Sequence, residues 1–286
     1  MRRCSGCAGL WLDPAPLGQD LGLAYQSYPT HTPAKKGWRA QWRSAYARLL
    51  EARLRSLAAY REMMAHHRQR RLMHLGDLPA GLLLDVGCGS GKFLHRMRKR
   101  GWRVVGIDFD PQAIRQAREK YGITAYTGDL REIDLRERDF DAIVMNHAIE
   151  HVERPVELLR ACRTLLRPGG RLVLITPNAT STAQRRYGPY WRGLEVPRHL
   201  QVFSRDGLAE CVRAAGLVLQ RAESFSCDAE VVHRASVAMA RQQQGRDCDP
   251  LLATRHAWRM ALAEQKALRR TPDCGEDLLL IATRPD

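Results

Sequence analysis

Three glycines at alternate positions form the most distinctive chemical feature of the sequence. Gly87, Gly89 and Gly91 follow the apolar stretch Leu82–Val86 and lead directly into a helical pattern that begins at Lys92. Because glycine has no side chain, such a loop lets a ligand lie against bare backbone, and the start of the helix offers unpaired N–H groups. The loop predicts a cofactor site at the end of a strand.

The spacing of the glycines excludes two common nucleotide loops. A P-loop requires glycine where Val86 stands and serine or threonine where Phe93 stands. The dinucleotide fingerprint requires a third glycine where Lys92 stands. Asp85, just ahead of the glycines, would repel a pyrophosphate but can accept hydrogen bonds from an ammonium group. The loop therefore suits a cofactor that carries an amino-acid moiety.

Two further acids follow at equal intervals. Asp108 ends the apolar stretch Val104–Ile107, 21 residues after Gly87, and Asp129 lies another 21 residues along the chain. A carboxylate at the end of a strand can accept hydrogen bonds from a ribose diol.

In this order the residues resemble the class I S-adenosylmethionine-dependent methyltransferases. Asp85–Gly91 is similar to the cofactor loop of that family, Phe140–Asn146 to its fourth strand, and Leu166–Leu172 to the approach to its fifth. The resemblance covers about residues 80–225 and the last strand. It implies an α/β fold with a Rossmann-like sheet of seven strands, mostly parallel, with helices on both faces.

The resemblance also implies methyl transfer, with S-adenosylmethionine as the cofactor. In this family the third acid, here Asp129, accepts a hydrogen bond from the adenine amino group, and Leu130 would pack against the ring. The cofactor-binding residues that it implies are Asp85, Gly87, Cys88, Gly89, Gly91, Asp108, Phe109, Asp129, Leu130 and Asn146.

His147, Glu150 and His151 follow the fourth strand at a spacing that places them on one face of a helical turn. The string also matches the H-x-x-E-H pattern of zinc peptidases, but a loop after a parallel strand argues against that class. The ubiquinone-biosynthesis O-methyltransferases have Glu-x-x-Glu-His here, for which metal binding is one proposed role. The segment therefore predicts a zinc or magnesium site, a base at His147, or a loop that Glu150 and His151 merely anchor.

His199 lies in a second loop that resembles the same family. The segment Pro197–Ser204 has its Pro-x-His-Leu and Phe-Ser pattern, and Tyr190 and Trp191 precede it. The loop is expected either to cover the acceptor, with His199 near the methyl group, or only to pack. A sulfonium is already an activated donor, but an alcohol or phenol acceptor would benefit from a base. His147 and His199 are the two candidates.

Cys4 and Cys7 have the spacing of a zinc half-site, but a structural zinc ion needs four ligands. The segment Gly9–Pro16 that follows resembles the second half of a zinc ribbon found ahead of some bacterial methyltransferases. A decayed ribbon, a start site assigned too late and a chance pair remain open as explanations.

The elements that must position these residues alternate between strands and helices, which predicts a parallel sheet. Three parts are expected: residues 1–37 irregular, residues 38–78 a basic helical extension with a helix from about Gln41 to Leu75, and residues 79–286 the methyltransferase domain. A helical insertion is expected at about residues 229–270, with a final strand at Leu278–Ala282.

The net charge of +15 comes from 46 Lys and Arg against 31 Asp and Glu, and residues 35–71 alone contribute an excess of +9. The basic helix could meet an anionic acceptor, an acidic partner or only water. A small-molecule or glycan-precursor acceptor is predicted, methylated on oxygen, nitrogen or carbon. Nucleic acid and a non-catalytic cofactor-binding role are the alternatives.

The 8 cysteines are too sparse for a disulfide scaffold, so a reducing, cytoplasmic setting is predicted. The apolar runs are too short to span a bilayer, and the oligomeric state has no sequence signal.

Overall fold

The computed structural model describes residues 1–16, 48–247 and 249–286. The strands found there, numbered along the chain, are β1 (Arg2–Arg3), β2 (Leu10–Trp11), β3 (Leu82–Val86), β4 (Arg103–Asp108), β5 (Thr124–Thr127), β6 (Phe140–Asn146), β7 (Leu166–Pro177), β8 (Gln201–Val202), β9 (Val218–Phe225) and β10 (Asp277–Thr283).

Seven of these strands form one sheet in the order β5-β4-β3-β6-β7-β10-β9. The strands from β5 to β7 pair in parallel, and β10 runs antiparallel to both β7 and β9. The predicted fold class, a mostly parallel sheet of seven strands, is therefore confirmed. The carboxyl ends of β3, β4 and β6 meet at one edge, where the glycine loop follows β3 and the His147 segment follows β6.

The principal helices of the described residues are α1 (Ala58–Arg70), α2 (Lys92–Arg98), α3 (Pro111–Tyr121), α4 (Pro155–Leu165), α5 (Thr182–Tyr187), α6 (Arg205–Ala214), α7 (Ala229–Gln243) and α8 (Pro250–Ala267). Single turns of 3₁₀ helix occur at Ile149–His151, Gly188–Tyr190 and Arg192–Leu194. None of the described helices combines the length and the apolar character that a membrane crossing requires.

The two faces of the sheet bury separate apolar clusters. Along β3, Leu82 and Leu84 pack into one cluster and Leu83 into the other, and every residue of the strand is buried. A strand covered on both faces reads as a continuous apolar run, because side chains alternate between the faces. This is why β3 was readable from the sequence.

The basic extension differs from the single helix that was predicted. Residues 48–54 are helical, a turn follows at 55–57, and α1 then begins with Leu57 extended at its N-cap; residues 41–47 lie outside the described part. Tyr60 and Met63 of α1 pack with Ala229, Trp258 and Ala261 in one apolar cluster. The direction of α1 is thus set by packing, which the repeat of apolar residues could not specify.

The insertion, which the sequence predicted as one or two helices, consists of two helices with a break near Asp247–Pro250. Asp249 caps α8 by accepting a hydrogen bond from the Leu251 N–H at 2.8 Å. Together with α1, helices α7 and α8 form a helical cap, a name used below for these three elements.

The N-terminal segment is more ordered than the predicted irregular structure. Strands β1 and β2 form a hairpin, and β2 pairs with β8 through Leu10–Val202 and Trp11–Gln201. Residues 17–37 lie outside the described part, so the three-part division of the chain stays a prediction.

Candidate functional site

The glycine loop leaves β3 with its three glycines in the left-handed region, where φ is +83° at Gly87, +52° at Gly89 and +74° at Gly91. A Cβ on Gly87 would lie 2.7 Å from the Cβ of Ala148, and one on Gly91 would lie 2.9 Å from the Cβ of Ala117. A Cβ on Gly89 would meet nothing within 4 Å. The open side of Gly89 is therefore where a ligand can lie against the loop backbone.

Asp85 and Asp108 lie next to this loop. Burial, and then the charge of Asp108, raise the pKa of Asp85 to about 8. Asp108 accepts hydrogen bonds from the N–H groups of Gly89 at 2.7 Å and Asp110 at 2.9 Å, and burial raises its pKa above the usual value. A bound ammonium group would offset the electrostatic cost of holding these two carboxylates close together.

Other predicted cofactor residues lie around the same edge. Asp129 accepts from the backbone N–H of Arg131 at 2.8 Å and from its Nε at 2.9 Å, and the hydrogen bonds from the Arg131 side chain hold the pKa of Asp129 low. Leu130 is buried in the apolar core, whereas the Phe109 ring is 64% exposed. The Cys88 thiol is buried and donates to the Gly89 carbonyl at 3.6 Å.

His147 follows Asn146, the exposed last residue of β6. Its Nδ1 lies 3.3 Å from Oε1 of Glu150, and its Nε2 lies 2.8 Å from Nη2 of Arg70 and 3.8 Å from Oδ1 of Asp277. Because a guanidinium only donates, Nε2 accepts and the ring proton is on Nδ1. Burial lowers the pKa of His147, but contact with Glu150 and the charge of Asp277 outweigh it, so that the pKa lies above the usual value.

Arg70 comes from the end of α1, and its side chain is only 15% exposed. It forms an ion pair with Asp228 and lies 3.9 Å from Oδ2 of Asp277, which begins β10. The helical cap and the last strand therefore both reach the loop that follows β6.

Glu150 is fully buried behind His147. Its Oε2 accepts from the Thr176 hydroxyl at 2.9 Å, and its Oε1 lies 3.3 Å from Nδ1 of His147 without a well-aligned hydrogen bond from the described residues. Burial alone would raise the pKa of Glu150, but the contact with His147 and the charges of His147, His199 and His151 hold it at about 2. The carboxylate is thus ionised across the neutral range.

Glu150, His151 and His199 bring one ligand atom each to within 4.8 Å of one another. Nδ1 of His151 lies 3.0 Å from the Arg198 carbonyl and Nδ1 of His199 lies 2.8 Å from the Gly193 carbonyl. Such contacts fix the tautomer in which Nε2 can bind a metal. The donor set fits a divalent metal ion, and the buried Oε1 of Glu150, which lacks a well-aligned hydrogen bond, supports that fit.

This grouping differs from the metal set predicted from sequence. The candidates were His147, Glu150 and His151, but the structure joins Glu150 and His151 to His199, and His147 instead contacts Arg70. The reason is tertiary: the loop before β8 folds back, and the Leu200 N–H donates to the Glu150 carbonyl at 3.0 Å. As a predicted base, His199 is only 3% exposed, and its Nε2 lies 3.2 Å from Glu195.

Cys4 and Cys7 lie in the turn between β1 and β2, both half-buried and unoxidised. Hydrogen bonds from the Cys7 and Gly6 backbone to the Cys4 sulfur lower the pKa of Cys4. The structure places no third metal ligand with them among the described residues.

The strand order, the antiparallel β10 and the glycine loop with its acids define the class I S-adenosylmethionine-dependent methyltransferase fold. The chain belongs to the methyltransferase-domain family, whose model matches residues 46–222. A solved S-adenosylmethionine-dependent methyltransferase from Mesorhizobium loti superposes with a TM-score of 0.51 and 19% identity, over 76% of this chain and 97% of that chain.

Among curated relatives, the ubiquinone biosynthesis O-methyltransferase of Xanthomonas campestris pv. campestris is 36% identical over 112 residues, 37% of this chain and 47% of the relative. The protein of the same name from Cereibacter sphaeroides is 37% identical over 147 residues, 47% of this chain and 59% of the relative. The chain thus spans about half the length of the curated relatives it matches.

Sequence reasoning missed Arg70, Asp277 and Glu195. Nothing local distinguishes Arg70 from the other arginines of its helix. Asp277 carried a weak signal, since it is an acid at one end of an apolar strand, as Asp108 is.

Proposed function

We propose that the protein transfers the methyl group of S-adenosylmethionine to a hydroxyl of a small-molecule acceptor. The observation that carries the proposal is the glycine loop, open on the side of Gly89 and flanked by the buried Asp85 and the half-buried Asp108. It suits a cofactor with a cationic amino-acid end, and the family to which the chain belongs supports the assignment.

S-adenosylmethionine supplies, when bound, a methyl group activated on a sulfonium sulfur. Asp85 would hold the ammonium group, and binding would make its carboxyl give up a proton because its pKa is raised to about 8 in the free protein. Asp108 holds the Gly89 N–H with one oxygen and would turn a lone pair to the ribose hydroxyls. These residues bind and orient the donor.

The acceptor would enter at the carboxyl edge, between His147 and the helical cap. His147 is the candidate base, because its side chain is 34% exposed whereas that of His199 is 4% exposed. To take a proton at Nε2, His147 must first lose the Arg70 donor, which retains Asp228 and Asp277 as partners. The relatives named as O-methyltransferases support oxygen as the methylated atom.

Glu150, His151 and His199 would hold a metal ion at this edge. Two imidazoles with one carboxylate favour zinc over magnesium, which prefers oxygen ligands. A metal ion would supply Lewis acidity towards an acceptor oxygen. The protein's part is to fix both imidazole rings through the carbonyls of Arg198 and Gly193.

The direct test uses the full chain. Calorimetry with S-adenosylmethionine should show binding to one site, and a panel of phenols, catechols and hydroxylated glycan precursors with deuterated donor should yield one product carrying the labelled methyl. The Gly89→Ala variant should lose both readouts. Absence of any S-adenosylmethionine affinity in the wild type would refute the proposal.

A further inference from the structure

Several residues of the basic extension line a cavity on the helical cap. A cavity of about 460 Å³ lies along α1, and the described residues that line it are Arg55, Tyr60, Arg61, Met64, His67 and Arg68. Three arginines thus converge on a space of the size that a small ligand needs. The glycine loop and the Glu150 cluster contribute no residue to it.

The three arginines are electrostatically unsatisfied. No carboxylate of the described residues lies within 4.0 Å of the guanidinium groups of Arg55, Arg61 or Arg68, whereas Arg70 of the same helix forms an ion pair with Asp228. Two nearby acids have other partners: Glu62 pairs with Arg269, and Asp228 pairs with Arg70 and lies 4.0 Å from Nε2 of His67.

The charges near the cavity act differently on two of the residues that line it. Burial, followed by the charges of Arg70, Arg71 and Arg96, lowers the pKa of His67. Burial raises the pKa of Tyr60; the charge of Glu51 adds to this rise, and Arg55 opposes it. Glu51 forms no ion pair with the cavity arginines among the described residues.

One wall of the cavity is apolar. Tyr60 is 8% exposed and its ring centroid lies 5.6 Å from that of Trp258, so the wall is fixed by the packing of α1 against α8. Met64 lies one turn along the same helix and contributes a flexible apolar side chain. Arginine side chains therefore lie beside apolar side chains along the same helix at this cavity.

We propose that this cavity binds a phosphate group joined to an apolar moiety, with Arg55, Arg61 and Arg68 on the phosphate and Tyr60 and Met64 against the apolar part. A phosphate can accept hydrogen bonds from several guanidinium groups at once. Its negative charge also balances the charge of three arginines better than the charge of one carboxylate would. The phosphate could belong to a soluble phosphorylated molecule or to a phospholipid headgroup.

The cavity is distinct from the proposed methyl-transfer centre, but helix α1 connects the two. Arg70, which contacts His147, lies within one helical turn of His67 and Arg68 on α1. A ligand in the cavity would order the helix that carries Arg70. The proposal does not depend on methyl transfer, because its test measures binding alone.

The probe is octyl phosphate, titrated into the full-length protein by calorimetry at 0.15 M salt, with octanol as the uncharged comparison. We expect one saturable site for octyl phosphate and none for octanol. The double variant Arg61→Gln, Arg68→Gln should bind at least about tenfold more weakly, since two charge-assisted contacts are lost. The control Arg115→Gln, Arg136→Gln removes the same charge from exposed arginines elsewhere and should bind within about twofold of wild type.

A second arm separates the two sources of phosphate. Phosphatidylglycerol vesicles that cosediment with the protein, are displaced by octyl phosphate and lose binding in the Arg61, Arg68 variant would place a headgroup in the cavity. Octyl phosphate binding without vesicle binding would favour a soluble ligand. Equal weakening in both double variants, or binding without saturation, would overturn the proposal, because either result means attraction to net charge alone. Circular dichroism checks that both variants are folded.

Discussion

Nη2 of Arg70 lies 2.8 Å from Nε2 of His147 and joins the helical cap to the loop that follows β6. Because arginine has no acceptor, this contact requires an unprotonated Nε2. Through this contact a residue of the N-terminal extension lies beside the proposed acceptor site. Asp228 and Asp277, which belong to two other elements, hold Arg70 there.

Replacing Arg70 by Gln should lower kcat/KM for the acceptor by about tenfold or more, because the tautomer and orientation of His147 are no longer held. The dissociation constant for S-adenosylmethionine should stay within about twofold, since the cofactor loop is not touched. Nitrogen-15 spectra of the histidine rings at neutral pH give a readout independent of activity: the wild type should show Nδ1–H for His147, and the variant a mixture of tautomers.

Arg71→Gln is the control, because Arg71 is exposed and its side chain makes no contact with His147. Equal losses of kcat/KM in both variants would show that activity depends on the positive charge of the helix rather than on the contact between Arg70 and His147. An Nε2–H tautomer in the wild type would contradict the geometry directly.

Affinity for S-adenosylmethionine should rise with pH up to about 8. The pKa of Asp85 is raised to about 8 by burial and by Asp108, so that at lower pH binding the ammonium group must release a proton. The dissociation constant should fall by up to about tenfold per pH unit below that value. Calorimetry in buffers of different ionisation enthalpy measures the proton release, and a pH-independent affinity without release would exclude this role of Asp85.

The raised pKa of Asp85 also affects the stability of the protein without cofactor. The folded state keeps its proton on Asp85 between the ordinary pKa of 3.8 and about 8, whereas the unfolded state has lost it. The free energy of unfolding should therefore fall as pH rises through this window, by at most about 1.4 kcal/mol per unit. In Asp85→Asn this loss should be absent, so the variant should melt above wild type at pH 8 while losing the cofactor.

Gly89→Ala and Gly87→Ala should separate binding from folding. A methyl group on Gly89 meets no atom within 4 Å, so this variant should fold with a loss of about 1 kcal/mol for the positive φ but bind the cofactor poorly. A methyl group on Gly87 collides with Ala148 at 2.7 Å and should cost more stability. Thermal melts and cofactor titrations of the two variants make the comparison, and unchanged affinity in Gly89→Ala would show that the open face is not the binding face.

Glu150→Gln should destabilise the fold by about 3 kcal/mol, since it removes a buried charge that faces three histidines. The pKa of Glu150 is about 2 in the folded protein against 4.5 ordinarily, so its stabilisation is present above pH 4.5 and is lost as pH falls towards 2. Glu153→Gln, at an exposed neighbouring position, should change stability by less than about 0.5 kcal/mol. Urea titrations at pH 7 provide the numbers, and equal effects would remove the special role of Glu150.

Zinc added to chelator-treated protein should raise the melting temperature with a stoichiometry of one, because a ligand that binds only the folded state stabilises it. His199→Ala should abolish the effect by removing one of three ligands. The double variant Cys4→Ser, Cys7→Ser should retain it. The opposite pattern would move the metal to the N-terminal thiols.

Much of the architecture was readable from local patterns. The strand Leu82–Val86 was predicted with its observed bounds, and the break between α7 and α8 fell where Asp249 and Pro250 stand. Buried parallel strands, caps and glycine turns are properties of neighbouring residues, and their signal is in the sequence itself. The small sheet of β1, β2 and β8 escaped notice because two-residue strands have no periodicity.

The residues of the site also fall into two groups, those that local sequence predicted and those that only the structure brought together. The order Asp85, Gly87–Gly91, Asp108 and Asp129 was legible because each residue lies near the carboxyl end of a strand, and the carboxyl ends of parallel strands share one edge. Which histidine joins Glu150, and that Arg70 meets His147, depended on how a loop and a helix distant in sequence fold over that edge. Such contacts arise from long-range packing, so that only the tertiary structure could decide them.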